Sequence, residues 1–339
     1  MAVICDANGT AGLPVAVRSG TGAGGPRAVV EALLAAAHAG VPAVLGLVVD
    51  TNGSTYAKPG ALLCVAEGAR VGWISGGCLE SSLEASARAQ LAARQAGVVE
   101  YDTRDDADLL VGSGIGCRGV VRIALVPLTL VAGIAAPLEA WTRQARDLDV
   151  ALLATGELIV RAGEVGGRWM PPWEPAAVAA LDGDRHLRIA RAPRLLVFGA
   201  GPESATLLPW LRQLGWYVDV AERRPRWDAA AAHADRHLQV PPGTVLADAQ
   251  HDAALVMNHD FELDREALEH LAAAPIPWIG LLGPPARRDD LLRLLGPAAA
   301  AALQPRLHAP VGLDLGGRGP EAIALAITAQ LHAWRHGGG

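Results

Sequence analysis

From Arg194 onward short apolar runs alternate with helical stretches, and this alternation restricts the fold more than any other feature of the sequence. The runs at 195–198, 217–221, 253–257 and 278–282 are too short for buried helices and read as buried strands. Residues 265–274 and 286–295 read as helices between them. Strands joined through helices run parallel, because the crossover returns the chain to the end of the sheet from which it started. A last helix is well signalled, with Pro320 in its first turn, Glu321 beside it, Ile323, Ile327, Leu331 and Trp334 on one face, and Gly337 as its stop.

The first of these strands runs into Gly199-Ala200-Gly201-Pro202-Glu203-Ser204, a helix follows from Glu203, and the next strand ends at Glu222. In a doubly wound sheet this order gives a tight turn at Gly199, close backbone approach to a pyrophosphate at Gly201, and a helix N-terminus aimed at the phosphate charge. Residues 193–337 are therefore predicted to form a Rossmann-like domain, with Gly199, Gly201 and Glu222 as its nucleotide-binding candidates. Glu222 suits a free ribose 2′-hydroxyl, whereas Arg223 and Arg224 suit a 2′-phosphate, so NAD and NADP both remain open. Ser204 replaces the usual third small residue and Pro202 removes one N–H, and the same glycines would serve for packing alone. His259-Asp260 is the one pair placed for acid–base work, and a capped strand end is the commoner explanation for it.

A chain of 339 residues has room for a second domain upstream. There, 28–39 reads as a helix ended by Gly40 and Pro42, and 43–49 as a buried strand leading to the polar turn Asp50-Thr51-Asn52-Gly53-Ser54. Strands at 61–66 and 69–74 flank a hairpin turn at Glu67-Gly68, and Leu79, Leu83, Ala87 and Leu91 form one apolar helical stripe directly after Cys78. Strands at 98–101 and 120–126 enclose an acidic, then glycine-rich loop, in which Asp102, Asp105, Asp106 and Asp108 read as a solvated run. The expected organisation is a glycine-rich tail over 1–26, an α+β domain over 27–136, a connecting region with strands at 150–154 and 158–161 over 137–192, and the parallel-sheet domain.

Composition excludes several functions. Lys+Arg 29 against Asp+Glu 35 gives a net charge of −6, without the positive field of a nucleic-acid binder. The uncharged stretch between Arg122 and Glu139 contains two prolines and falls short of the roughly 20 residues of a membrane-spanning helix. No secretory signal pattern opens the chain, and four cysteines without C-x-x-C spacing match neither a disulfide framework nor structural zinc. The expected setting is a soluble protein of the reducing cytoplasm.

Two cysteines stand out from the core. Cys78 ends Ser75-Gly76-Gly77-Cys78 at a helix N-terminus, where two glycines open the backbone to a ligand and the helix dipole favours thiolate, opposed by Glu80. Cys117 lies within Gly112-Ser113-Gly114-Ile115-Gly116-Cys117-Arg118-Gly119, an unusual setting for a residue type that prefers the core, and Arg118 beside it can pair an anion. Two thiols in glycine loops suit a soft metal or a carried sulfur atom, making Cys117 and Cys78 the metal-binding candidates. Cys64, inside a strand, and Cys5, in the tail, read as structural.

Taken together these segments resemble the XdhC/CoxI family, accessory proteins of xanthine dehydrogenase and related molybdenum hydroxylases. The resemblance rests on 49–59 (VDTNGSTYAKP), 75–80 (SGGCLE), 114–119 (GIGCRG), the Gly199 fingerprint, 280–283 (GLLG) and 308–316 (HAPVGLDLG). Pro202-Glu203 stand where the family commonly has a histidine and a small residue, Pro284-Pro285 where a serine and arginine are usual, and Arg118 where a glycine is frequent. The resemblance implies a family-specific N-terminal domain joined to a Rossmann domain. It also implies a non-catalytic protein that binds the molybdenum cofactor (molybdopterin), protects it while a partner cysteine desulfurase installs its terminal sulfur, and helps insert it into an apo-hydroxylase. On this analogy Cys117 and then Cys78 contact the cofactor. Gly76, Gly77, Gly114 and Gly116 offer backbone, and Arg118 or the chain's single lysine, Lys58, meets the pterin phosphate. The other functional class is an NAD(P)-dependent oxidoreductase working from Gly199, Gly201 and Glu222. A third role for the parallel-sheet domain is homodimerisation or docking through its apolar C-terminal helix.

Overall fold

The computed structural model describes residues 25–104, 118–175, 177–247 and 250–337. The chain divides into two compact units, Met1–Ala192 and Pro193–Gly339.

In the first unit, helix α1 (Gly25–Ala39) precedes strand β1 (Ala43–Gly53). Gly40 stops the helix at φ +65, with Val41 N–H bonded to Ala36 O and Gly40 N–H to Ala37 O. This is the left-handed cap that glycine adopts without penalty. β1 and strands β2 (Leu62–Ala66), β3 (Ala69–Val71), β4 (Gly97–Asp102) and β5 (Gly119–Pro127) make an antiparallel sheet in the order β3-β2-β1-β5-β4. The first seven residues of β1 are buried without alternation, so both of its faces are covered. Helix α2 (Glu80–Ala93) lies on one face, where Leu83 and Ala87 join Val44, Val48, Ile123 and Leu125 in a single core. Cys64 is in that sheet, and burial pushes its thiol up to about 12, which suits an inert packing residue.

Residues 137–192, expected as a connecting region with two strands, carry more structure than that. Helix α3 (Ala135–Arg143) leads into β6 (Leu148–Leu152), β7 (Leu158–Ala162), β8 (Val165–Trp169) and β9 (Arg185–Ile189), an antiparallel sheet in the order β8-β7-β6-β9. Trp141 of α3 is fully buried.

The second unit is the expected parallel sheet. β10 (Arg194–Phe198), β11 (Tyr217–Ala221), β12 (Arg236–Leu238), β13 (Ala253–Val256), β14 (Trp278–Leu281) and β15 (Leu307–His308) pair in the order β12-β11-β10-β13-β14-β15, every pair parallel. Numbered within the unit, that is the Rossmann order 3-2-1-4-5-6. Helices α4 (Ser204–Gln213) and α7 (Pro320–Arg335) cover one face through Leu207, Leu211, Ile327 and Leu331. Helices α5 (Phe261–Ala273) and α6 (Pro285–Leu303) cover the other through Leu268, Leu271, Leu291 and Leu303. α6 continues past the expected 286–295 and bends at Gly296-Pro297, where Gly296 takes φ +81. Among the described residues no helix is long and apolar enough to cross a membrane.

Candidate functional site

In the first unit the strand registers gather the motif segments. Gly53 at the end of β1 is opposite Gly119 at the start of β5, Asp102 at the end of β4 is opposite Val120, Leu62 at the start of β2 is opposite Leu47, and Val71 at the end of β3 is opposite Cys64. Segments 54–61, 72–79 and 103–118 therefore all leave from the same end of the sheet. Cys117, Gly114 and Gly116, together with Asp105, Asp106 and Asp108, lie outside the described residues, as does Cys5. Lys58, Gly76, Gly77, Cys78 and Arg118 are described, and all five are exposed.

The base of the 103–118 segment is held tightly. A Cβ on Gly119 would lie 2.6 Å from Ser54 O and 2.7 Å from Asn52 O, and one on Gly53 would lie 2.6 Å from Arg118 O. Only glycine permits this approach of two backbones. Ser54 N–H donates to Arg118 O at 3.0 Å. Thr103 donates both N–H and hydroxyl to Gly119 O, each at 2.9 Å, and its hydroxyl accepts from Gly119 N–H. Asp102 pairs with Arg104, whose hydrogen bonds hold the exposed carboxyl at about 2. Asp50, inside the motif at 49–59, accepts from Arg122 at 2.9 Å and from Arg185 at 3.3 Å.

The glycine–cysteine segment is organised from beneath. Buried Glu80, the first residue of α2, accepts from Ser75 N–H at 2.9 Å and from the Ser75 hydroxyl. The Ser75 oxygen in turn accepts from Gly77 N–H at 3.2 Å and Leu79 N–H at 3.1 Å. Burial works against the Glu80 charge, but the two hydrogen bonds from Ser75, its own amide and the Arg70 charge prevail and hold its pKa below the usual value. Gly77 takes φ +112, and a Cβ on Gly76 or Gly77 would meet nothing within 4 Å, so the outer side of the segment is open. Tyr101 donates to Ser82 Oγ at 3.2 Å and ties the first turn of α2 to the strand that leads into 103–118. Sequence reasoning missed Ser75 as a site-shaping residue, because its bond to Glu80 spans five positions and follows no capping-box spacing.

In the second unit the topological switch point lies between β10 and β13, where open parallel sheets bind ligands. Gly199, at φ +89, brings the turn so close to β13 that a Cβ would sit 2.5 Å from Asn258 Cα. Glu222 is buried, and both carboxylate oxygens have partners within the chain. Oε2 accepts from Ala200 N–H at 2.8 Å and Arg224 Nη2 at 2.7 Å; Oε1 accepts from Arg224 N–H at 2.7 Å and Nε at 2.9 Å. Arg224 also donates to Asn258 O at 2.7 Å, and Arg223 pairs with Glu266. Glu203 Oε2 lies 3.1 Å from His259 Nε2, with the imidazole over Gly201. Burial opposes the Glu203 charge, but the His259 hydrogen bond, Glu203's own amide and the His259 charge lower its pKa; that same bond raises His259 against its burial. Asp260 caps α5, accepting from Glu262 N–H and Leu263 N–H at 3.1 Å each, so the expected acid–base pair is divided between an ion pair and a helix cap. Among the described residues no group of three or more His, Cys, Asp or Glu could hold a metal ion.

Comparison with known proteins gives two family models in tandem. Residues 36–102 match the model described as XdhC and CoxI family, and residues 195–331 match the XdhC Rossmann domain. The chain is 29% identical over 316 residues to a Bacillus subtilis (strain 168) protein described as a probable xanthine dehydrogenase subunit, covering 85% of this chain and 92% of that protein. It is 32% identical over 151 residues to the uncharacterized protein YqeB of Escherichia coli (strain K12), covering 41% of this chain and 27% of YqeB. Among solved structures, a Bacillus halodurans protein described as a xanthine dehydrogenase matches with TM-score 0.72 and 26% identity, over 91% of this chain and 96% of that one.

Proposed function

Because the chain belongs to the XdhC and CoxI family, we propose that it is an accessory protein that holds the molybdenum cofactor for a xanthine dehydrogenase-type hydroxylase. On this reading the partners are the apo-hydroxylase and a cysteine desulfurase, and the chain itself catalyses no reaction. The observation that carries it is the convergence of segments 54–61, 72–79 and 103–118 at one end of the five-stranded sheet, with open glycine backbone beside an exposed thiol.

The residues present fit such a group. A Cβ at Gly76 or Gly77 would fill space that is otherwise open, so a flat heterocycle can approach the backbone there. Exposed Cys78 offers sulfur to a soft metal, and exposed Lys58 and Arg118 suit a phosphate; Cys117, which lies outside the described residues, is a second sulfur candidate on the family resemblance alone. When bound, the cofactor supplies the molybdenum centre; the chain's residues bind it, orient it and exclude competing reactions. Ser75 and Glu80 position the Cys78 segment from beneath and touch no ligand themselves.

The test is to purify the chain from a strain that makes the cofactor, oxidise the sample and measure fluorescent pterin per mole of protein. Near-stoichiometric pterin that falls sharply in Cys117→Ser, and less in Cys78→Ser, is expected. A folded protein that carries none would refute the proposal.

A further inference from the structure

We infer that the crevice of the Rossmann unit is closed to nicotinamide dinucleotides by the chain's own side chains, with Glu203 as the excluding residue. This crevice belongs to a different unit from the one proposed to hold the molybdenum cofactor, so the two assignments stand or fall independently.

The donors of the glycine turn come first. A dinucleotide pyrophosphate is held by backbone N–H groups at the start of the helix after β10. Here Gly199 N–H donates to Ala221 O at 2.9 Å, Ala200 N–H to the Glu222 carboxylate at 2.8 Å, Gly201 N–H to Ser204 Oγ at 3.1 Å, and Ser204 N–H to Gly201 O at 3.1 Å. Pro202 has no N–H, and the Glu203 amide supports its own carboxylate. Each of these positions is satisfied from within or carries no donor.

Charge and space point the same way. Glu203, buried at the mouth of the turn and paired with His259, already places a carboxylate where the helix N-terminus would receive phosphate. A pyrophosphate arriving there meets a like charge and must also displace the imidazole that covers Gly201. The ribose-binding acid is engaged as well, since Glu222 is enclosed by Arg224 and the Ala200 amide. The slot beside the carboxyl ends of β11 and β13, lined by Phe198, Glu222, Arg223, Val240, Asn258 and Leu263, holds about 10 Å³. That is room for about one water, against the roughly 300–1,000 Å³ of ordinary ligand pockets.

Calorimetry on the full chain tests this with NAD⁺, NADP⁺ and inorganic pyrophosphate, each to millimolar concentration. The wild type is expected to give no saturable heat with any of the three. Glu203→Ala removes the resident carboxylate and frees His259, and should gain pyrophosphate affinity by at least roughly tenfold. Saturable wild-type binding of either dinucleotide would overturn the inference, and so would a folded Glu203→Ala protein that gains nothing. Should Glu203→Ala fail to fold, Glu203→Gln keeps the volume and is judged by the same gain. Glu203→Gln has a second readout, because the His259 titration followed by NMR should move down toward that of an ordinary histidine; an unmoved His259 would show that Glu203 does not hold it.

Discussion

Arg224 closes over Glu222 at the carboxyl end of β11, donating from Nε at 2.9 Å and from Nη2 at 2.7 Å to the two oxygens of a carboxylate that is 1% exposed. The mutual attraction of such a pair contributes less than the penalty incurred when one partner is removed. Arg224→Ala leaves a buried charge with only the Ala200 and Arg224 amides as donors, and should cost about 3–5 kcal/mol in urea unfolding. Adding Glu222→Gln to Arg224→Ala should recover part of that loss. A loss below about 1 kcal/mol in the single variant would mean that water reaches Glu222.

Stability should be highest between the ordinary carboxylate and imidazole values. Glu80, Glu203 and Glu222 all have folded-state pKa values below the usual 4.5, so their contribution is present above that value and is lost as pH falls through the depressed folded one. His259 has a folded pKa above 6.5, so its contribution is present below 6.5 and is lost as pH rises through the raised value. Urea midpoints measured from about pH 3 to 9 should decline on both sides, and Glu80→Gln should flatten the acid limb while leaving the alkaline one unchanged.

Two glycines separate folding from binding. At Gly199 the φ of +89 and the 2.5 Å approach to Asn258 Cα leave no space for a methyl group. Gly199→Ala should cost about 2–4 kcal/mol, combining left-handed strain with displacement of β13. Gly76 has open space on its Cβ side and no positive φ, so Gly76→Ala should change stability by about 0.5 kcal/mol or less. If the backbone at Gly76 is approached by a pterin, the same variant loses pterin content; unchanged content would remove this residue from the binding surface.

Ser75→Ala withdraws one hydroxyl from three bonds and leaves the buried Glu80 with fewer donors. The expected cost is about 1–3 kcal/mol. Hydrogen exchange should rise specifically at the Gly77 and Leu79 amides. Unchanged protection there would mean that Gly77 and Leu79 are held by something other than the serine.

The parallel half of the fold was legible because its information is local. Four of its six strands are short apolar runs bounded by turn residues, and helix connections between such runs admit few topologies, whereas the edge strands β12 (Arg-His-Leu) and β15 (Leu-His) carry no apolar run and are made strands by pairing with their neighbours. The sheet of β6 to β9 was only half legible for an equally physical reason. β8 carries Gly166 and Gly167, which weaken any strand signal, and it is made a strand by pairing with β7 and by Trp169 Nε1 donating to Ala132 O at 2.9 Å. In the site, Gly76-Gly77-Cys78 was visible as composition, but the bond from Ser75 to Glu80 depends on the path the chain takes through Gly77 at φ +112. Glu203 and His259 are 56 positions apart and meet only because β10 and β13 are neighbours. Glu222 and Arg224 were both legible as candidates for a nucleotide. That they satisfy each other is decided by the turn after β11, which no spacing rule encodes.

The clamp at Thr103 and Gly119 bears on how this protein can diverge. Threonine N–H and hydroxyl fasten one side of the stem to a single carbonyl, and the backbone contact between Gly53 and Gly119 fixes the other, so the stem is defined by residues outside the sequence it brackets. The anchors, rather than the stretch between them, are thereby the positions least free to change, because Gly53, Thr103 and Gly119 carry the register of β1, β4 and β5 at this end of the sheet.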